Sequence, residues 1–432
     1  MQYVITDFGA VADGKTLATA AIQAAIDTCH KNGGGRVSVP AGVFKTGTLW
    51  LKSHVELHLE MGATLLASEN LDDYNAEDAY PQNFRSDIEE WCGKHLLIAL
   101  GAEDIALTGH GLIDGNGHLF YDKPVKKWTF LWTDGLALSK DKVNLRPGQL
   151  LCFIECRHVH VQDIRIQNTT CWCCFFHGCE FVQVRGIVIQ NPSTFANTDG
   201  IDIDACRHVT VSDCILDTAD DAFAIRSSAY RLKNGANVCE FITISNCVLG
   251  SSSGAFRLGV GDSPIRHVQI SNIAVKRCAT AFILTTNYSQ SQGRYTPISD
   301  VSFHNISVAE AQRAMKLAAV AEGEIRDVTL ENIHCRAYAG SYIKCPEGPH
   351  IHNVRMESLH IEMMDKGALS DEELSERRPH ALWMEEADGF TLRHVQIRGT
   401  ESTAMPWEAD VMIENGTPTV EDCDFELRRR AL

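Results

Sequence analysis

Along most of the chain, apolar residues alternate with polar ones in short runs, the period of a half-buried strand rather than of a helix. The clearest unit is "CRHVHVQDIRIQN" at 156, in which Val159/Val161 and Ile164/Ile166 form two alternating segments joined by a polar pair that suits a bend. The pattern returns at 179, 206, 239, 265, 298, 325 and 351, at separations of 23 to 33 residues. Such a period marks a solenoid, because each unit must stack on its neighbours to bury its apolar face. Coils of short strands stacked in this way make parallel sheets around a dry interior, so the pattern predicts a parallel β-helix. Weaker copies at 103–115 and 390–399 extend the stack towards both ends.

The first residues follow another rule. In "TLATAAIQAAIDTCHKNGGG" (16–35), Ala20, Ala21, Ile22, Ala24, Ala25 and Ile26 stand at helix-compatible spacing and a glycine run follows. This predicts a helix of three or four turns that caps the open end of the stack, where strand edges would otherwise be exposed. Residues 1–432 are expected to form one solenoid domain, with a cap over about 1–50 and coils over about 51–430. Two segments interrupt the repeat: the aromatic and lysine-rich stretch 116–148, and "GALSDEELSERRPH" at 367–380, which reads as a surface loop or short helix.

Composition narrows the classes. A hydrophobic share of 44% with 22% charged residues is that of an ordinary globular protein. A net charge of −17 with no concentrated basic segment argues against a nucleic-acid partner. No stretch is apolar for the roughly 18 residues a membrane helix needs. The first residues lack a basic segment followed by an apolar run, so a cytoplasmic location is expected. Sixteen cysteines in so long a chain point to reduced core thiols. Cys156, Cys179, Cys206 and Cys239 share one register of successive repeats, and Cys214 and Cys247 another, which predicts interior ladders rather than a metal site.

Candidate chemistry lies in a further strand register before each repeat. "DGIDI" (199–203) aligns with "DAFAI" (221–225), then with "GAFRL" (254–258), "TAFIL" (280–284) and "RAMKL" (313–317). Equivalent positions of a parallel sheet lie about 4.8 Å apart. Asp199 and Asp221 are thus expected one rung apart, with Asp220 beside them. Like charges on a sheet are normally avoided, and three carboxylates so close cannot all ionise. A protonated acid beside an ionised base is what a glycosidase needs. Asp202 belongs to the same neighbourhood and could add to the field or bind sugar hydroxyls.

"NTDGIDID" (197–204), followed by "DDAFAIRS" (220–227), resembles the Asn-Thr-Asp and Asp-Asp motifs of glycoside hydrolase family 28, the polygalacturonases and related pectin hydrolases. The entry segment "ITDFGAVADGKT", the stretch "GGGRVSVPAGVFKTGTLWLKSHVELHLEMGATLLAS" and Arg146-Pro147 are similar to the same family, so that the likeness spans most of the chain. The resemblance implies an all-β, right-handed parallel β-helix and inverting hydrolysis of an α-glycosidic bond in an acidic polysaccharide, with no metal or organic cofactor. It implies Asp220 as the general acid, Asp199 and Asp221 as the residues that activate water, and Asn197 as part of the substrate-binding motif.

Two departures stand out. Where the family carries a histidine between glycines, this chain has "SSSGAFRLG" (251–259), with Gly254 or Ser253 in its place. Where an Arg-Ile-Lys motif would hold a carboxylate, it has "TAFILTT" (280–286), with Phe282 and Leu284 at the cation positions. Arg226 and Arg257, on neighbouring rungs, either compensate with a guanidinium fork or balance the aspartates. His177 and Trp172 fit a sugar subsite, Trp172 by stacking, or fit the core equally well. The long segment 116–148 could wall the cleft into a pocket, which favours exo action on galacturonan or rhamnogalacturonan-type oligosaccharides. The alternatives are a β-helix polysaccharide lyase and a carbohydrate-binding β-helix without catalysis.

Overall fold

The structure, a computed structural model, describes residues 1–76, 93–125, 135–138, 146–230, 232–288, 295–320, 322–364, 380–399 and 409–429. They fall into two compact units, one built on residues 1–128, 133–221 and 229–236, the other on 129–132, 222–228 and 237–432.

In the first unit the predicted helix, α1, spans Thr19–Lys31. Its residues Ile22, Ala25, Ile26 and Cys29 recur on one face and are fully buried. That face packs on the strands Gln2–Val4, Gly35–Val39, Leu49–Trp50 and Val55–Leu59. Gln23 also pairs with the backbone of Trp50: its Nε2 donates to the carbonyl at 3.1 Å and its Oε1 accepts from the amide at 2.8 Å. Gly34 ends the helix at φ 99°, its N–H donating to Cys29 O at 2.9 Å. A Cβ at Gly34 would lie 2.4 Å from the His54 carbonyl oxygen, so only glycine fits.

Beyond α1 the chain runs as coils of three short strands. Leu97–Leu100, Leu151–Ile154, Cys174–His177 and Ile201–Asp204 stack in parallel as the first row. In the second row Ile105, Val159, Val182 and Val209 fall in register, and in the third Ile113, Ile166, Ile189 and Leu216. In the second and third rows these residues are buried while their neighbours along each strand are half-buried or exposed, so the stack is a parallel β-helix and the period-2 reading was sound for those rows. The polar pairs do form the corners: Asp163 and Asp213 adopt φ 61° and 59°, a conformation that short polar side chains tolerate. At the equivalent Gly186, a Cβ would meet Asp163 Oδ1 at 2.4 Å.

The second unit repeats the architecture with longer strands, Ile265–Thr285, Ile298–Ala318, Ile325–Ala337 and Ile351–Met363, again in parallel. Phe223, Phe256 and Phe282 stack ring on ring at 5.9 and 6.0 Å, and Phe303 meets Phe282 edge-on at 4.9 Å. All four are fully buried.

The cysteines behave as expected. Cys156, Cys179 and Cys206 are buried free thiols that donate to carbonyl oxygens, Cys206 to Phe176 O at 3.3 Å. Cys239, Cys214 and Cys247 are also buried and free. Burial pushes Cys179 well above the ordinary thiol range. Of the two interrupting segments, 126–134, 139–145 and 365–379 lie outside the described residues. At the base of the first, Tyr121–Val125 pairs antiparallel with Gly135–Leu138.

Candidate active site

Two turns of the first unit carry the acids, and backbone hydrogen bonds fix one over the other. The Gly200 N–H donates to Asp221 O at 2.9 Å, while Cys173 N–H donates to Asp199 O at 2.9 Å. Two threonines lock the turns. Thr198 Oγ1 donates to Phe195 O at 2.9 Å and accepts from Ala219 N–H at 3.3 Å; Thr218 Oγ1 donates to Asp220 O at 2.6 Å. As a result, carboxylate oxygens of Asp199, Asp220 and Asp221 lie within 4.8 Å of one another. The three residues are only 5%, 9% and 3% exposed.

With so little water between them, like charges at this spacing repel strongly. A cation could be held by the same oxygens. Two hydrogen bonds help to position Asp220. Its Oδ1 accepts the Asp221 N–H at 2.9 Å and its Oδ2 accepts the Asn197 side-chain amide at 3.4 Å.

Beneath Asn197 lies a network that sequence reasoning missed. Arg146, 1% exposed, donates from Nη2 to Asn197 Oδ1 at 3.2 Å and from Nη1 to the carbonyls of Thr170 at 2.7 Å and Ala196 at 3.2 Å. Its Nη1 also donates to the Tyr121 hydroxyl. That hydroxyl lies 2.7 Å from Thr170 O and 2.6 Å from Ala196 O, and the Tyr121 ring stacks on Phe195 at 4.5 Å. Burial holds the Tyr121 phenol well above its ordinary value, Arg146 opposes this, and the Asp220 charge adds to it. The phenol therefore stays a donor. Arg146-Pro147 was visible only as part of a resemblance, and no local spacing links positions 121, 146, 197 and 220.

The other expected residues are placed as follows. Asp202 stands opposite Phe175 and is fully buried. Its charge, after burial and Cys174, helps push Cys173 upward. Trp172, 3% exposed, packs with Cys152, Ile154, Cys171 and Phe175 and meets the Phe175 ring edge-on at 5.4 Å. His177, 4% exposed, has its Nε2 4.0 Å from Asp204 Oδ1.

In the second unit, Arg257 stands opposite Ala224, so Arg226 lies on the same face two residues along, and the Arg257 guanidinium sits 4.9 Å over the Tyr288 ring. Ser253 and Gly254, at the expected histidine position, are both buried. Phe282 and Leu284, the residues that stand where the resemblance would place cations, fall in the strand register that the repeat alignment gives them. They point into the core, 0% and 1% exposed, and alternation makes Ile283 and Thr285 the residues of the opposite face.

The description Glycosyl hydrolases family 28 matches residues 29–362. The chain belongs to this family. It is 32% identical over 259 residues to an exo-poly-alpha-D-galacturonosidase of Dickeya chrysanthemi, covering 50% of this chain and 40% of that protein. It is 28% identical over 229 residues to a probable polygalacturonase of Vitis vinifera, covering 52% and 44%. The match thus spans less than half the length of either relative. The crystal structure of a hyperthermoactive exopolygalacturonase from Thermotoga maritima superposes with a TM-score of 0.63 at 23% identity, covering 98% of this chain and 91% of that one, which shows the shared fold.

Proposed function

We propose that this family 28 chain is an exo-acting hydrolase that cleaves α-glycosidic bonds in pectin-derived oligosaccharides of the galacturonan or rhamnogalacturonan type, with inversion. The observation that carries hydrolysis is the buried triad of Asp199, Asp220 and Asp221 with oxygens within 4.8 Å, from which one acid can give a proton while the others act on water; inversion rests on the resemblance to the family and not on this spacing. Asp220 gives that proton to the glycosidic oxygen as the bond to the anomeric carbon breaks. Asp199 and Asp221 take a proton from the water whose oxygen bonds that carbon from the opposite face. The relative named an exo-poly-alpha-D-galacturonosidase supports exo action on galacturonan.

The test is a product analysis by proton NMR on galacturonan and rhamnogalacturonan oligosaccharides, with Asp220→Asn as control. The expected result is a monosaccharide released first as the β anomer, unaffected by EDTA, with the rate reduced about 10²–10⁴-fold in the control. An unsaturated, ultraviolet-absorbing product that requires calcium would make the chain a lyase instead. Binding without turnover, unchanged in Asp220→Asn, would make it a carbohydrate-binding solenoid.

A further inference from the structure

Four Asn-Gly pairs occur in the chain, beginning at Asn32, Asn116, Asn234 and Asn415. In such a pair the glycine nitrogen can attack the asparagine side-chain carbon, because glycine has no Cβ to obstruct the approach. The attack needs a glycine N–H that is not already engaged and a side-chain carbonyl polarised by a donor. Gly33 and Gly117 are engaged, donating to His30 O at 3.0 Å and to Asn168 O at 2.7 Å. Asn415 ends the strand Ala409–Asn415, and its carbonyl accepts the Ala387 N–H at 2.9 Å, which fixes the peptide it shares with Gly416.

Asn234 differs on both counts. It is exposed, and the Gly235 N–H has no hydrogen-bond partner among the described residues. The Ala236 N–H donates to Asn234 Oδ1 at 3.0 Å, which folds the side chain over the intervening peptide. That donor also stabilises the negative charge that forms on Oδ1 during attack. Among the described residues, the side-chain oxygens of Asn32, Asn116 and Asn415 receive no such hydrogen bond. Asn234 is in addition part of a latch. Glu155 Oε1 accepts its N–H at 2.7 Å together with that of Lys233, and Asn234 Nδ2 donates to Gly178 O at 2.8 Å. These bonds seat Leu232 on the buried cluster of Cys152, Ile154, Cys171, Trp172 and Phe175, all within the first unit.

We infer that Asn234 is a self-modifying site, at which deamidation releases residues 232–236 from their seat over Trp172. The Gly235 nitrogen gives its proton to hydroxide and bonds Asn234 Cγ; the Cγ–Nδ2 bond breaks, and Nδ2 leaves as ammonia with a proton from water. A second water opens the cyclic imide at either carbonyl, giving aspartate or isoaspartate. Both products lose the Nδ2 donor to Gly178 O and add a negative charge beside Glu155, so the latch exchanges a hydrogen bond for repulsion. Neither step depends on hydrolysis at the aspartates.

The test ages the purified full chain in mildly alkaline buffer and maps its peptides by mass spectrometry, with enzymatic methylation of isoaspartate as a second readout. Asn234 should convert roughly 5-fold faster or more than Asn32, Asn116 and Asn415, the factor set by a hydrogen bond that must break first. Asn234→Gln should abolish the isoaspartate signal from this segment. Exposure of Trp172 is read by acrylamide quenching of fluorescence, as the difference between each chain and its Trp172→Phe counterpart. Quenching should rise in the aged chain and in fresh Asn234→Asp, towards the value in Leu232→Ala, with matched circular dichroism as the check on folding. The aged native chain carries the test if a variant fails that check. Conversion at Asn234 no faster than at the other three pairs would overturn the modification site. Quenching that stays unchanged in the aged chain, or in folded Leu232→Ala, would overturn the latch.

Discussion

At the scale of single residues, the best-defined feature is the path from Arg146 through Asn197 to Asp220. A guanidinium that is 1% exposed is costly to bury, and here its hydrogens go to two carbonyls, a phenol and an amide oxygen. In this network Arg146 orients the Asn197 amide that contacts Asp220, and it brings a positive charge to the neighbourhood of that acid. It is a positioning residue. Replacing Arg146→Gln removes that charge, and loss of a nearby cation favours the protonated form of Asp220. The limbs of the pH–rate profile should then move up by about 0.5 unit or more, with a fall in kcat larger than any rise in KM. A profile lowered equally at all pH values would show that Arg146 only supports the fold.

At the scale of elements, the strands are decided by alternation and the stack by ladders of like residues. The ladder Phe223–Phe256–Phe282 fills the interior of the second unit, and Phe303 closes on it edge-to-face. Phe282→Ala is expected to destabilise by about 3–5 kcal/mol, because neighbouring coils cannot collapse into the space. Denaturant titration reads this directly, and a loss under about 1 kcal/mol would mean that the ladder is loosely packed. Element identity was legible because both period-2 alternation and helical spacing are local signals. Phe282 and Leu284 show how much rides on register: both face the core, and in a strand a slip of one position exchanges the core face for the outer one.

For the whole molecule, acid stability offers a test, since His95 is buried without charge. Its Nδ1 lies 3.0 Å from Gln149 O, its Nε2 has no hydrogen-bond partner among the described residues, and burial pushes its pKa from 6.5 down to about 4, against that hydrogen bond. In the unfolded chain His95 binds its proton near 6.5, so unfolding takes up a proton in the window between. The contribution is fully present above pH 6.5 and is lost as pH falls towards 4, amounting to roughly 3 kcal/mol at most. His95→Phe should flatten that part of the stability–pH curve. An unchanged slope would place the acid sensitivity elsewhere.

The sequence by itself determined the coil, the helix α1, the buried free thiols and the aspartate triad. Each of these follows from spacing within one repeat or between adjacent repeats. Only the tertiary structure decided that Tyr121, Arg146 and Asn197 meet beside Asp220, that Trp172 packs with Cys152, Ile154, Cys171 and Phe175, and that Lys316, Tyr342 and Lys344 share a pocket with Tyr288. The physical reason is that repeats of 23 to 33 residues differ in their loops. Strand pairing fixes which rungs coincide, but loop closure and side-chain packing fix which distant side chains reach the same point. Those depend on contacts between residues far apart in the chain, for which no local period carries a signal.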